Sequence, residues 1–251
     1  MTTETARAAK HEFPVWDRTV RWFHWINALC VLALLVVGTF IYFGSAFGVS
    51  GEGKILLKTI HVSIGYVFLA NLLWRLAWAF FGGPFARWGR LLPFRRGYLK
   101  ALGGYLRGFS RGDPPSYAGH NPAARLSVTF LLVLMVNQAA TGLVLAGTDI
   151  YFPPFGGSIA AWVAAEGQDP AALQAGSKAG VDPAAWEEMR AFRKPYITLH
   201  KWGYYVLLAL IPLHVLGVIF TDTRERSGLV SAMFTGRKFF RDRPVDLDDA
   251  S

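Results

Sequence analysis

Four apolar runs decide what this chain can become: residues 25–43, 62–81, 126–147 and 197–220. Each is close to the ~20 residues that a helix needs to cross a bilayer. A chain that is 53% hydrophobic and only 17% charged also has more apolar surface than one soluble core uses. The expected fold is therefore all-α, an integral membrane four-helix bundle forming a single domain over 1–251, with spans at 22–43, 61–81, 126–147 and 197–220. Residues 1–19 are polar and lack an apolar core followed by a small-residue cleavage site, so the first run is expected to be an uncleaved span.

Lys and Arg set the expected orientation. The N-terminal segment has four, the stretch between the second and third runs eight, and the segment after the fourth run six, against six on the opposite side. Eighteen against six places both termini in the cytoplasm of a bacterial inner membrane. The net charge of +9 thus marks a membrane surface and gives no reason to invoke nucleic acid. The single Cys30 lies inside the first run, which excludes an intrachain disulfide, c-type heme attachment and an iron–sulfur cluster.

Between the spans, Tyr98, Leu99, Leu102, Tyr105, Leu106 and Phe109 recur at helical spacing, predicting an amphipathic helix on the inner surface. Leu229, Val230, Met233 and Phe234 predict a second. The outer segment 148–196 is 49 residues long, and Asp169-Pro170 and Asp182-Pro183 read as two helix starts, Asp capping and Pro in the first turn. Such a segment suits a docking surface or a linker. His11 is expected to be solvated, and the acidic tail 245–251 disordered. Asn137, Gln138 and Thr141 are expected to make hydrogen bonds between helices.

Histidines carry the chemistry. His200 and His214 stand fourteen residues apart in the last run. At 3.6 residues per turn they leave nearly one helix face, roughly 21 Å apart along the axis. His24 opens the first run from the inner side and His61 the second from the outer side, so depth pairs His61 with His200 and His24 with His214. Imidazoles in hydrocarbon need a partner or a metal. Two imidazoles without carboxylate or thiol leave zinc short of ligands, but suit the axial positions of a flat porphyrin. Gly38, fourteen residues after His24, lies at the outer pair's depth, where a missing side chain admits a macrocycle edge. Propionates need cations: Arg75 and Arg21 are candidates near the inner pair, Lys58 and Lys201 near the outer. Arg75 within a span has a second explanation, snorkelling to the headgroups.

The motif RWFHW at 21–25, the histidine opening the second span, the paired histidines of the last span and the pattern from Ser231 to Gly236 give the chain a resemblance. It resembles the diheme b-type cytochrome subunit of bacterial membrane-bound nickel–iron hydrogenases, and the related subunit of formate dehydrogenases. The resemblance implies two heme b groups and electron transfer between an outer, periplasmic redox subunit and membrane quinone. It also implies an inner quinone region at GHNPAAR, 119–125, with Asn121 as the matching polar residue; His120 and Arg21 are further candidate contacts at that depth, and Asn121-Pro122 has a second explanation as the start of the third span. The partner implied is a periplasmic dehydrogenase, a hydrogenase-like subunit or a multiheme cytochrome. Two other readings stand beside it, a stand-alone membrane oxidoreductase acting on a small substrate such as superoxide, and a helical carrier without heme.

Overall fold

In a computed structural model, which describes residues 10–247, four long helices account for most of the chain: α1 (Arg18–Tyr42), α2 (Gly51–Phe81), α5 (Pro122–Ile150) and α7 (Pro183–Glu225). All four are long and apolar enough to cross a membrane. Each begins at a side chain that takes up an otherwise orphaned backbone N–H. Asp17 Oδ1 accepts from Val20 N, Ser50 Oγ from Gly53 N, Asn121 Oδ1 from Ala124 N and Asp182 Oδ1 from Ala185 N. Proline fills the first position of α5 and of α7, where its missing N–H costs nothing.

Little of these helices is covered by protein. Only 11% to 17% of the most apolar window of each is buried, and Leu29, Val133 and Leu213 lie more than half exposed. Faces of that size are stable only in an apolar solvent, and the backbone groups are satisfied within the helices. The bundle is a multi-pass membrane protein.

The shorter elements are α3 (Trp88–Leu91), α4 (Tyr98–Arg111), α6 (Gly156–Val163), α8 (Leu229–Thr235) and a two-stranded antiparallel ribbon of β1 (His11–Pro14) and β2 (Arg237–Phe240). Helix α4 matches the predicted amphipathic stripe and ends on Gly112, whose φ of 83° lets its N–H turn back to the carbonyls of Gly108 and Phe109. The ribbon runs from His11 opposite Phe240 to Pro14 opposite Arg237, so the exposed His11 lies in a strand.

The chain divides into two compact units. Among the described residues the first comprises 10–25, 73–132 and 210–247, the second 26–72 and 133–209. In the first, Val15, Trp16, Val20, Phe85, Ala86, Ala118, Ala232 and Phe240 form a core, with Leu247 packed against it. The tail therefore departs from the expected disorder at least as far as Leu247: Val245 N donates to Ser116 O, and Asp246 is 3% exposed. Its remaining residues, 248–251, lie outside the described residues. In the second, Ile159, Val163 and Met189 form a small core with Tyr151, Leu173, Val181 and Trp186 around it. Segment 148–196 is thus a folded structure and no slack linker, closed by the bridge from Ala164 to Val181. Asp169 caps a 3-10 turn, Pro170–Ala172, while the start at Asp182 runs unbroken into the fourth span as a 43-residue helix.

Asp246 accepts from Ala118 N at 2.6 Å and Gly119 N at 3.0 Å, in a buried loop with no ladder to satisfy it. Asp246→Ala leaves two buried donors without an acceptor, a cost of about 3 kcal/mol. The expected outcome is roughly a hundredfold faster hydrogen exchange at the Ala118 and Gly119 amides, with the four long helices unchanged.

Candidate functional site

In the second unit, α2 presents His61 and α7 presents His200 to one another. Their ring centroids lie 6.3 Å apart with the planes at 71°. Two metal–nitrogen bonds of about 2 Å, plus the distance from each nitrogen to its ring centre, add to roughly 6 Å. The spacing is that of two imidazoles sharing one metal ion.

The hydrogen bonds around His200 settle its tautomer. Thr141 Oγ1 is 2.7 Å from the Asn137 carbonyl, which can only accept, and 2.9 Å from His200 Nδ1. The single hydroxyl proton goes to the carbonyl, so the hydroxyl oxygen accepts from His200 Nδ1–H. Nε2 is left as a lone pair, the ligating form. Gln138 Nε2 donates to the His200 carbonyl at 3.2 Å, so Gln138 and Thr141 both make the predicted links between helices. Each ring also faces a glycine: a Cβ on Gly38 would meet His61 Cε1 at 3.4 Å, and one on Gly142 would meet His200 Cε1 at 3.5 Å. Gly142 escaped the sequence reading, though its place beside Thr141 in the third span was a usable signal. The expected cations here already have partners. Lys58 pairs with Asp149 at 2.6 Å, Arg193 holds the other Asp149 oxygen at 2.5 Å, and Lys201 lies 4.6 Å from the centre of the Tyr42 ring.

The first unit holds His24 and His214, close enough for their charges to interact. His24 Nδ1 is buried with no hydrogen-bond partner, and its ring meets Trp25 edge-on at 5.1 Å. Arg75 is covered by protein. It is 5% exposed, its Nη1 donates to Ala86 O at 3.2 Å, and it lies over Phe23 at 5.8 Å. Arg21 Nη1 donates to Phe234 O, while its buried Nε has no partner.

The loop before α5 is held from both sides. Lys238, 2% exposed, donates to Gly119 O at 2.9 Å and Tyr117 O at 3.4 Å, while Asp246 takes the amides of Ala118 and Gly119. Arg90 Nη1 donates to the Asp246 carbonyl at 2.8 Å. Asn121 is fully engaged: Oδ1 caps α5, and Nδ2 donates to Tyr105 OH at 2.8 Å and Glu225 Oε1 at 3.3 Å. His120 packs 4.7 Å from Trp16, and its Nδ1 is buried without a partner. Burial, with Lys238, Arg75 and Arg125 nearby, pushes the His120 imidazole down to about 3, so it is neutral at pH 7. Burial pushes Lys238 down to about 8 against the pull of Glu225 and Asp246, and raises the Tyr105 phenol, with Glu225 adding to the rise. Lys238, Asp246 and Glu225 were not read from the sequence as site residues, since nothing local to them points to a loop more than a hundred residues away; Tyr105 was read only as part of the amphipathic stripe.

The model of the family described as prokaryotic cytochrome b561 matches residues 15–236. The chain belongs to that family. Curated relatives extend over most of the cytochrome. A probable Ni/Fe-hydrogenase B-type cytochrome subunit of Rhizobium leguminosarum bv. viciae is 27% identical over 241 residues, covering 91% of this chain and 90% of its own. One of Cupriavidus necator is 27% identical over 235 residues, covering 91% and 87%. The probable Ni/Fe-hydrogenase 1 B-type cytochrome subunit of Escherichia coli K12 is 33% identical over 140 residues, 52% of this chain and 59% of that one.

Membership makes this a membrane electron-transfer protein that binds heme b. The residues fit such a group. Among the described residues no three His, Cys, Asp or Glu side chains gather as a metal site. Two facing imidazoles with a glycine beside each suit an ion whose other ligands come from a flat macrocycle.

Thr141→Val removes the acceptor for His200 Nδ1–H while keeping the shape of the side chain. Loss of a partner that orients a ligating histidine costs metal affinity 10- to 100-fold. Retention of heme through repeated detergent washing, measured as heme per chain, should fall about tenfold for one chromophore.

Proposed function

We propose that this cytochrome holds two b hemes, one between His61 and His200 and one between His24 and His214, and links a redox partner on the outer side of the membrane to the quinone pool. The observation that carries the reading is the 6.3 Å approach of the His61 and His200 rings, with the His200 tautomer set by Thr141. Heme b at such a pair supplies reversible one-electron exchange at iron. The protein's part is to keep water from the imidazoles, to fix their tautomers and to leave room beside Gly38 and Gly142. Helix α7 carries one ligand of each pair, which supports passage of electrons between them.

The excess of Lys and Arg, eighteen against six, supports cytoplasmic termini and an outer side made of 44–60 and 148–196. The folded core within 148–196 then supports docking of a periplasmic subunit, and the relatives' names favour a hydrogenase-like partner. That folded segment also weighs against a stand-alone oxidoreductase, which needs no such surface. For the cations, Arg75 and Arg21 are proposed to face the inner propionates, and Lys58 and Lys201 the outer ones, with Lys58 exchanging its Asp149 partner. Quinone is proposed to react on the cytoplasmic side at the loop before α5. Arg21, with its unpartnered Nε, is the group able to meet a quinone carbonyl, and His120, whose Nδ1 is buried beside the small cavity of the loop, is proposed to stand behind that contact. Asn121 contributes there by capping α5 and holding the loop.

The pairing is tested by replacing its members one at a time. His61→Ala and His200→Ala should each remove one of two hemes and spare the other, and His24→Ala and His214→Ala should remove the complementary one. Reduced-minus-oxidised spectra with heme-to-chain ratios read the result. Loss of both hemes from His61→Ala, in a chain whose helical content is intact, would overturn the assignment.

A further inference from the structure

The first unit contains a cavity of about 30 Å³ lined by Trp16, His120, Asn121, Glu225 and Lys238 among others. That volume accommodates a water molecule, and a buried water needs two to four polar partners. Three are at hand. His120 Nδ1 is buried with no partner in the protein. The Lys238 ammonium uses two of its three N–H donors on the carbonyls of Tyr117 and Gly119. The Glu225 carboxyl accepts from Tyr105 OH at 2.7 Å and from Asn121 Nδ2 at 3.3 Å, both on Oε1, so acceptor capacity remains.

We propose that this cavity holds one water and is a proton-exchange site, in which Glu225 takes up a proton when an electron arrives at the His24–His214 pair and releases it when the electron leaves. The inference rests on reading that pair as a heme site. One electron, supplied by the redox partner, enters together with one proton from cytoplasmic water, which bonds to a Glu225 oxygen; both leave on reoxidation. The surroundings single out Glu225. Facing it are Tyr105 of α4, Tyr117, His120 and Asn121 of the loop, Asp222 of α7 and Lys238 of β2. Tyr105 stays protonated because burial and Glu225 raise its phenol, and His120 stays neutral because burial and three cations lower its imidazole. Lys238 is the countercharge that makes an ionised Glu225 tolerable inside the unit. His214 and Glu225 stand on one helix, eleven residues and roughly 16 Å apart along its axis, so the cluster senses charge at that pair through a poorly screened interior.

The test is a spectroscopic redox titration of the purified full chain in lipid nanodiscs, without added quinone, between about pH 6 and 9. In the unaltered chain one of the two midpoint potentials falls as pH rises. Glu225→Gln, which keeps an acceptor for Tyr105 and Asn121, is expected to cut that slope at least about twofold with the absorption spectra unchanged, and Glu225→Asp to keep it. A slope unchanged in Glu225→Gln, or absent from the unaltered chain, would overturn the proposal. So would a slope abolished by Lys238→Met but not by Glu225→Gln, which assigns the proton to the lysine. Failure of the underlying pairing is read separately, as both heme signals persisting in His214→Ala.

Discussion

A neutral imidazole inside an apolar bundle has two nitrogens to satisfy, and the site follows from how each is used. For His200 two hydrogen bonds fix the division. One nitrogen donates to Thr141, whose own proton is committed to the Asn137 carbonyl, and the other is left for a ligand. Everything nearby serves that division. Gln138 holds the His200 carbonyl from the same helix as Thr141, and Gly142, one residue on, keeps the space beside the ring open. A span that must bury donors and acceptors among lipid-facing residues has little reason to place three such groups within five positions, except to hold something fixed.

The two units handle charge differently. In the second, Asp149 gathers Lys58 and Arg193 in ion pairs whose side chains remain partly exposed, so the desolvation they suffer is modest. In the first, Lys238, Asp246, Arg90 and Arg75 are each less than a tenth exposed. Buried charges of that kind are weak contributors to net stability, because removal from water offsets most of the attraction between them. The use of Lys238, Asp246 and Arg90 is to dictate one arrangement of an irregular loop, the loop that carries His120 and Asn121.

Much of this was legible in the sequence, where the signal was local or periodic. Hydropathy located four spans, Asp182 before Pro183 marked a helix start, and the 3.6-residue stripe from Tyr98 to Phe109 located α4. Depth counting puts His61 opposite His200, because a helix converts residue number into height. What stayed hidden depends on partners far apart in the chain. The His11–Pro14 strand has no alternation long enough to announce it and exists because Arg237–Phe240 lies beside it. Helix α7 begins fourteen residues before the apolar run, because Met189 and Trp186 pack within the 148–196 segment and carry the helix outward. The tail read as disordered from its acidity, yet Asp246 is an acceptor for two amides that composition cannot reveal.

That tail closes the physical argument for the loop. Backbone without helix or ladder is tolerated in a buried place only if something else satisfies its polar groups. In the loop before α5 the carbonyls of Tyr117 and Gly119 are met by one ammonium and the amides of Ala118 and Gly119 by one carboxylate, both from the last fifteen residues. A Cβ on Gly119 would lie 2.8 Å from Phe85 and 3.3 Å from Asp246, so the clamp closes only on a residue without a side chain. Asn121 continues the same logic into the helix, spending its amide on Tyr105 and Glu225 and its oxygen on the first turn of α5. Once these bonds are made, a side-chain atom of the loop left buried without a protein partner is His120 Nδ1, beside a cavity that also reaches Lys238 and Glu225. A loop clamped this thoroughly cannot turn that nitrogen outward to water, so whatever satisfies it must come to the cavity.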